Sequence, residues 1–120
     1  MRKLMLWLLL MLAAAAPACA EMVISEVMAA NSSAVPDENG NFDDWLELYN
    51  GTGHDLDMEG VMLTTRTDRI TFAFPEYTLK AGERVVVFGS GSYQMDPSKP
   101  FHGKFRISSA GSHIYLYDPD

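Results

Sequence analysis

The chain beyond residue 20 predicts an all-β domain, either a sandwich or a barrel. Short apolar segments with an extended pattern alternate with clusters of Gly, Pro, Asn and Asp, which is the composition expected at turns between strands. No stretch after residue 20 shows apolar residues at the 3.6-residue spacing of a helix. About six to eight short strands at this spacing are typical of sandwiches and barrels.

The first predicted strand covers residues 22–28, and the second covers residues 45–50. Between them, residues 31–43 are rich in Asn, Asp, Gly and Pro, residue types that favour turns. Trp45 and Leu46 point to opposite faces of the second strand because side chains alternate along an extended chain. Since apolar residues occupy both faces, we expect this strand to be buried on one side and largely covered on the other.

The second half of the chain contains five further predicted strands. Ile70, Phe72 and Phe74 alternate with smaller residues within one of them, so we expect all three to face the core. We interpret residues 89–99 as a loop, because they are rich in Gly, Ser and Pro. The predicted strands of this half are residues 58–65, 69–74, 84–88, 101–107 and 113–117.

The first twenty residues carry the pattern of a secretory signal peptide. Arg2 and Lys3 precede an apolar run over residues 4–16, and small residues precede a cleavage site after Ala20. The run is shorter than the roughly 20 apolar residues that a membrane span needs. Two alternatives stay open: an uncleaved anchor, and a lipoprotein signal in which Cys19 is lipidated.

These features divide the chain into a signal peptide helix, residues 1–20, and one small domain, residues 21–120. We expect the domain to be secreted or displayed at the cell surface, with membrane contact through the signal peptide alone, before cleavage. Cys19 is the sole cysteine of the chain, so we expect no disulfide in the mature domain. The sequence predicts no cofactor.

The charge of the mature domain limits its partners. Loss of the two basic residues of the signal leaves seven basic residues against sixteen acidic ones, a net charge of −9 with histidine neutral. Nucleic acid is not an expected partner, because phosphate binding needs clustered Lys and Arg. A domain with this net charge is expected to attract basic surfaces or cations.

Residues 37–44 contain a dense group of oxygen-bearing side chains, which are the ligands that calcium prefers. The candidate metal ligands are Asp37, Asn39, Asn41 and Asp43. Three of them alternate as in known calcium loops, but Gly40 does not occupy the sixth position that such loops require. We therefore expect a solvated surface loop with at most weak calcium affinity.

The sequence offers no recognised catalytic constellation, and we predict that the domain is not an enzyme. Residues 89–92, Gly-Ser-Gly-Ser, lack the Gly-x-Ser-x-Gly spacing and the following helix of a serine nucleophile elbow. His54, His102 and His113 do not show metal-ligand spacing, and we expect each to lie at the surface or in a turn.

Three tyrosines are candidate binding residues. Tyr115 and Tyr117 alternate with Ile114 and Leu116, so one of these pairs faces outward. Tyr93 lies in a predicted loop. Outward tyrosines suit a carbohydrate or peptide ligand, although β-propensity alone also explains tyrosine in a strand. The predicted partner is a protein or a cell-envelope polysaccharide.

The order of these segments resembles the lamin tail domain family, in the form found in exported bacterial proteins. The similarity covers residues 22–118 and rests on the order and spacing of short motifs. The motifs are ISEVMAAN (24–31), DWLELYN (44–50), FP (74–75), AGERVVVF (81–88), FHGKF (101–105) and SHIYLYD (112–118). The resemblance implies an immunoglobulin-like β-sandwich. Family members usually continue into a further strand, which implies that this domain is truncated at its C-terminus; a dispensable final strand is the alternative.

The resemblance also implies a non-catalytic module that mediates adhesion or positions a linked catalytic or surface partner. Bacterial members often occur beside hydrolase, nuclease or spore-coat-protein-H-type domains. Two alternatives stay open. One is a carbohydrate- or cell-wall-binding module, and the other is a fragment of a larger exported hydrolase or spore-coat-protein-H-type protein.

Overall fold

In the computed structural model, which describes residues 21–66 and 70–119, all regular secondary structure is β-strand. The strands, in chain order, are β1 (Met22–Met28), β2 (Asp44–Asn50), β3 (Leu56–Asp57), β4 (Met62–Thr64), β5 (Phe72–Ala73), β6 (Thr78–Leu79), β7 (Arg84–Gly89), β8 (Phe101–Gly103) and β9 (Tyr115–Tyr117). The all-β prediction is confirmed. Nothing in this part of the chain forms a helix of the length and hydropathy that a membrane span requires. The predicted signal peptide, residues 1–20, lies outside the described residues.

The larger sheet has the strand order β1-β2-β7-β8. β2 pairs antiparallel with β1 and β7, whereas β7 and β8 run parallel. The register aligns Leu46 with Val87, and Val87 with Phe101. Directly paired residues share one face of a sheet, so these three side chains form an inner row, and all three are buried.

The second layer consists of a sheet with the order β5-β4-β9 and of the β3-β6 pair. Leu63 of β4 and Phe72 of β5 pair in register, and Leu79 of β6 is fully buried. These residues share one hydrophobic core with Leu46 and Val87 of the larger sheet. The apolar faces of the two layers therefore close on each other, as in a β-sandwich.

Aromatic rings fill the centre of this core. Phe72 meets Phe74 edge-on at a centroid distance of 4.9 Å and Phe101 at 5.7 Å. Phe74 contacts Phe101 at 5.4 Å, and Tyr77 meets Phe101 edge-on at 5.1 Å. Edge-to-face contacts are favoured by the ring quadrupole, so this cluster ties β5 to β8 across the interior.

The ring of Phe105 fits against the larger sheet because two glycines oppose it. Gly89 ends β7, Gly103 ends β8, and the two residues pair in register. A Cβ atom at Gly89 would lie 2.6 Å from the Phe105 ring, and one at Gly103 would lie 2.9 Å from it, both closer than carbon atoms approach. The chain leaves the sheet after Gly103 and turns this ring back over it. The strand predicted over residues 101–107 is therefore wrong beyond Gly103.

The strand predicted over residues 58–65 begins later, at Met62. Gly60 has φ +82°, a conformation that glycine adopts without the strain a side chain would cause. The N–H of Val61 donates to the carbonyl of Met58 at 3.0 Å and closes a turn at this point. The turn separates β3 from β4.

The strand predicted over residues 69–74 is confirmed in its centre, and residues 67–69 lie outside the described residues. Phe72 and Phe74 are buried, as predicted. The prediction for Ile70 is wrong: its side chain is exposed, because this residue precedes β5 and has no sheet partner to fix its face.

A second buried row lies on the outer face of the larger sheet. Trp45 pairs with Phe88, and Phe88 pairs with His102. Trp45 and His102 are each 5% exposed, so both faces of β2 are covered, as predicted. Part of the cover comes from the loop of residues 31–43, whose Glu38 contacts His102.

Candidate functional site

Polar side chains at both ends attach the loop of residues 31–43 to the sandwich. The carboxylate of Asp44, which is buried, accepts hydrogen bonds from the backbone N–H of Asn31 at 3.1 Å and of Ile107 at 2.8 Å. The side-chain amide of Asn31 donates to the carbonyl of Asp43 at 3.0 Å. The start and end of the loop are therefore held together and tied to the segment that follows β8.

Asp37 turns inward from the middle of this loop and organises it. Its Oδ1 accepts hydrogen bonds from the backbone N–H groups of Asn39 and Asn41, each at 2.9 Å. The N–H of Asp37 donates to the carbonyl of Asn41 at 2.8 Å. Asn39 and Asn41 are exposed, but Asp37 is buried. The expectation of a solvated surface loop is therefore wrong for Asp37, whose carboxylate is the centre of a compact turn.

His102 lies opposite this loop, in the middle of β8. Its Nε2 is 2.8 Å and 2.9 Å from the two carboxylate oxygens of Glu38. Because a carboxylate accepts and does not donate, Nε2 carries the hydrogen of this contact. The ring also stacks on Phe88 at a centroid distance of 5.3 Å. The expectation that His102 lies at the surface or in a turn is wrong, because the loop covers it.

Ser90 completes the contacts of the imidazole. Its Oγ lies 2.8 Å from His102 Nδ1 and 3.3 Å from the Oγ of Ser92. The loop predicted over residues 89–99 begins one residue later, because Gly89 is the last residue of β7. Within this loop the Ser90 side chain has a defined partner. Ser90, His102 and Glu38 thus form a continuous hydrogen-bonded row, which sequence reasoning missed.

Asp37, Asp43 and His102 converge on one point. Each offers one potential ligand atom, and these three atoms lie within 4.8 Å of one another. Asp43 Oδ2 is buried and has no hydrogen-bond partner among the described residues. The structure therefore brings together two of the predicted ligands and adds a histidine. Asn39 and Asn41 line the same pocket, and they supply backbone N–H groups to Asp37.

The two aspartates differ in their affinity for a proton. Burial raises the pKa of Asp43, and the hydrogen bond and negative charge of Asp37 raise it further. Burial also acts to raise the pKa of Asp37, but its hydrogen bonds with Asp43 and with the N–H groups of Asn41 and Asn39 outweigh that effect and lower it. Asp43 is therefore the carboxyl group of this pair with the higher affinity for a proton.

These side chains line an open pocket of about 360 Å³. Its opposite wall is formed by the loop after β7, including Ser92, Tyr93 and Gln94. Tyr93 is 47% exposed, and the Lys104 amino group lies 5.0 Å from its ring centroid. The predicted binding residue Tyr93 and the predicted metal ligands therefore belong to one site.

Tyr115 and Tyr117 form a separate surface on β9, at the edge of its sheet. Their rings stack at a centroid distance of 6.2 Å, and His113 stacks on Tyr115 at 6.1 Å. Ile114 and Leu116 pack against the core, so the tyrosine pair is the one that faces outward. It is not among the residues that line the acidic pocket.

The two packed β-layers, with a pocket formed by loops over one outer face, define an immunoglobulin-like β-sandwich domain. The chain belongs to the lamin tail domain family: the family model described as Lamin Tail Domain matches residues 15–120. The comparison with curated proteins found no match. The family consists of non-catalytic immunoglobulin-like domains, and the fold that the resemblance implied is confirmed.

Proposed function

We propose that this chain is an exported binding module that attaches to a protein partner, or positions one, through the acidic pocket around His102. The observation that carries this proposal is the position of exposed apolar side chains beside the pocket. Tyr93 lines it. Phe42, which is 44% exposed, lies between two lining residues of the loop, and exposed Met95 directly follows Gln94.

Aromatic and methionine side chains around a desolvated centre are typical of protein interfaces. Val35 adds to this surface from the same loop. It is exposed, and it has φ +54°, a left-handed conformation in which a β-branched residue is strained. Such strain persists where the surrounding structure imposes it, and it recurs at binding sites. The loop is therefore shaped to present apolar groups to a partner.

The charge of the domain supports a basic partner. The mature chain has a net charge of −9, and the pocket concentrates the carboxylates of Asp37, Glu38 and Asp43. Complementary charge across an interface increases the rate of encounter and disfavours acidic competitors. Binding through this surface should therefore weaken as the salt concentration rises.

A cell-envelope polysaccharide is the second candidate ligand. The supporting observation is the stacked, outward row of His113, Tyr115 and Tyr117 on β9. A flat row of rings of this kind offers the apolar faces on which sugar rings stack. In this alternative the ligand binds along β9, away from the acidic pocket.

The proposal assigns no catalysis to the row of Ser90, His102 and Glu38. In serine hydrolases the acid bonds Nδ1 of the histidine and the serine bonds Nε2, whereas here Ser90 contacts Nδ1 and Glu38 contacts Nε2. β7 leads into a loop and not into the helix of a nucleophile elbow. We assign this row the role of holding the loop of residues 31–43 against the sheet.

A pair of matched variants separates the two ligand classes. The labelled mature chain is added to cells of the source organism, and bound chain is measured before and after protease treatment of the cells. We expect Tyr93→Ala to reduce binding about tenfold or more, because exposed aromatic residues at interface centres carry much of the affinity. Tyr117→Ala should change binding less than about twofold. Protease treatment of the cells should abolish binding of the original chain.

Loss of binding in Tyr117→Ala with Tyr93→Ala unchanged would instead support the polysaccharide ligand, especially if binding survives protease. Equal affinities in all three chains would contradict both assignments. Melting curves of the two variants provide the control, since both side chains are largely at the surface and should leave stability near that of the original chain.

A further inference from the structure

We propose that Asp37, Asp43 and His102 form a zinc site. The site lies in the same pocket as the partner surface suggested above, but it concerns an ion held by this chain alone and is tested without a partner. It rests on the convergence of two carboxylates and one imidazole from distant parts of the sequence, and on a buried carboxylate oxygen that no group of the described chain satisfies.

The distances suit a metal ion after a small closure. The three potential ligand atoms lie within 4.8 Å of one another, and tetrahedral zinc with bonds of about 2.1 Å places its ligands about 3.4 Å apart. Asp37 and Asp43 belong to one loop and His102 to β8, so a shift of at most about 1.4 Å between these side chains reaches this spacing. The pocket is open on one side, so an ion has a path to the three side chains.

The buried oxygen of Asp43 is the observation that points to an ion. A buried polar atom without a partner costs free energy, and the neighbouring carboxyl group of Asp37 adds negative charge beside Asp43. A proton shared by the two aspartates relieves part of the repulsion, but it provides no donor for a second oxygen. A divalent cation satisfies both carboxylates at once. His102 and Arg106 are the positive or potentially positive groups that act on Asp43 across the site.

Ser90 prepares the imidazole for this role. Without a metal, Nε2 carries the ring hydrogen toward Glu38, so zinc binding at Nε2 requires this hydrogen to be on Nδ1 instead. The Ser90 hydroxyl lies 2.8 Å from His102 Nδ1 and can accept the hydrogen there. A hydrogen-bonded Nδ1 is the usual arrangement behind a metal-bound histidine. Glu38 now contacts Nε2 with both oxygens. An ion that binds Nε2 therefore displaces the Glu38 carboxylate from this nitrogen, and a water molecule can complete the four ligands.

The ligand set favours zinc over calcium. Calcium takes six to eight oxygen ligands and does not use imidazole. Zinc is bound by histidine and carboxylate in combination, with four ligands. The oxygen-rich loop by itself favours calcium. The presence of the buried His102 beside it changes the expected metal to zinc.

The test is a titration of the purified chain that begins at Glu21, prepared without a histidine tag. Zinc, calcium and magnesium are each added in a calorimeter, and the melting temperature is recorded with and without each ion. We expect one zinc ion per chain, a higher melting temperature with zinc, and weak or absent binding of calcium and magnesium. Asp43→Asn should reduce zinc affinity at least about tenfold, and Ser90→Ala should reduce it about tenfold through the orientation of His102.

Asp96→Asn is the matched control, because Asp96 is an exposed acid that caps its own loop through Ser98. Its zinc affinity should equal that of the original chain. Calorimetry that shows no saturable zinc binding would overturn the proposal. So would zinc binding that survives Asp43→Asn, binding lost in Asp96→Asn, or calcium binding tighter than zinc. Melting of each variant without metal confirms that it is folded, and His102→Gln offers a second route if Asp43→Asn fails to fold.

Discussion

Replacing Phe72 with alanine should destabilise the domain by about 3–5 kcal/mol, the cost of removing a large aromatic side chain from a packed core. Phe72 has no exposed surface and contacts Phe74 and Phe101 edge-on. Its loss removes these contacts and leaves a cavity between the two layers. Since small domains are stable by about 5–15 kcal/mol, the variant should melt more than about 10 °C lower.

Phe42→Ala is the matched control, with the same chemical change at a residue that is 44% exposed. It should change the free energy of unfolding by less than about 0.5 kcal/mol, because surface substitutions rarely do more. Urea unfolding of both variants measures the difference. Equal stabilities would show that the aromatic cluster is not the centre of the core.

Trp45→Ala should also cost about 3–5 kcal/mol, although Trp45 lies on the outer face of the larger sheet. It is 5% exposed and pairs with Phe88, which in turn stacks on His102. The variant should therefore lose stability and also loosen the imidazole, so that zinc affinity falls in parallel. A melting temperature within a few degrees of the original chain would contradict this packing.

Trp45→Phe separates the size of this side chain from its polar group. The indole Nε1 is buried and has no hydrogen-bond partner among the described residues, a situation that costs about 1–3 kcal/mol. Phenylalanine removes that donor, which stabilises the domain, but it also loses part of the apolar volume of the indole, which destabilises it. Because these two effects oppose each other, we expect the free energy of unfolding of Trp45→Phe to lie within about 1 kcal/mol of that of the original chain. Unfolding curves for the pair then show whether apolar volume is what this position requires.

The sequence correctly predicts strands that have turn-forming residues at both ends and apolar side chains on a recognisable face. β1 and β2 are found as predicted, because turn-forming residues bound them and apolar side chains mark their faces. The prediction fails at residues 101–107, where the fold needs Gly103 to accept the ring of Phe105. The Phe105 ring also packs against Gly89, a residue of another strand, and local periodicity does not predict a contact of this kind.

The candidate site is predictable only in part, because local composition is visible in the sequence and contacts between distant segments are not. Asp37 and Asp43 are apparent as oxygen ligands, since they belong to one loop of unusual composition. His102 cannot be recognised as a ligand from the sequence, because its position opposite the loop depends on the parallel pairing of β7 with β8. An alternation argument places His102 on the face opposite Phe101, but it does not show what covers that face. The contact with Glu38 spans 64 residues, and a single sequence contains no signal for it.

The central claim is that the row of Ser90, His102 and Glu38 belongs to a binding module and does not catalyse a reaction. The most direct test is to measure hydrolysis of ester, peptide, phosphodiester and glycoside substrates by the purified chain, with and without zinc. The account predicts no turnover above that of buffer in any assay, and identical results for Ser90→Ala. Turnover that disappears in both Ser90→Ala and His102→Gln, with both variants still folded, would contradict it and identify the chain as a hydrolase.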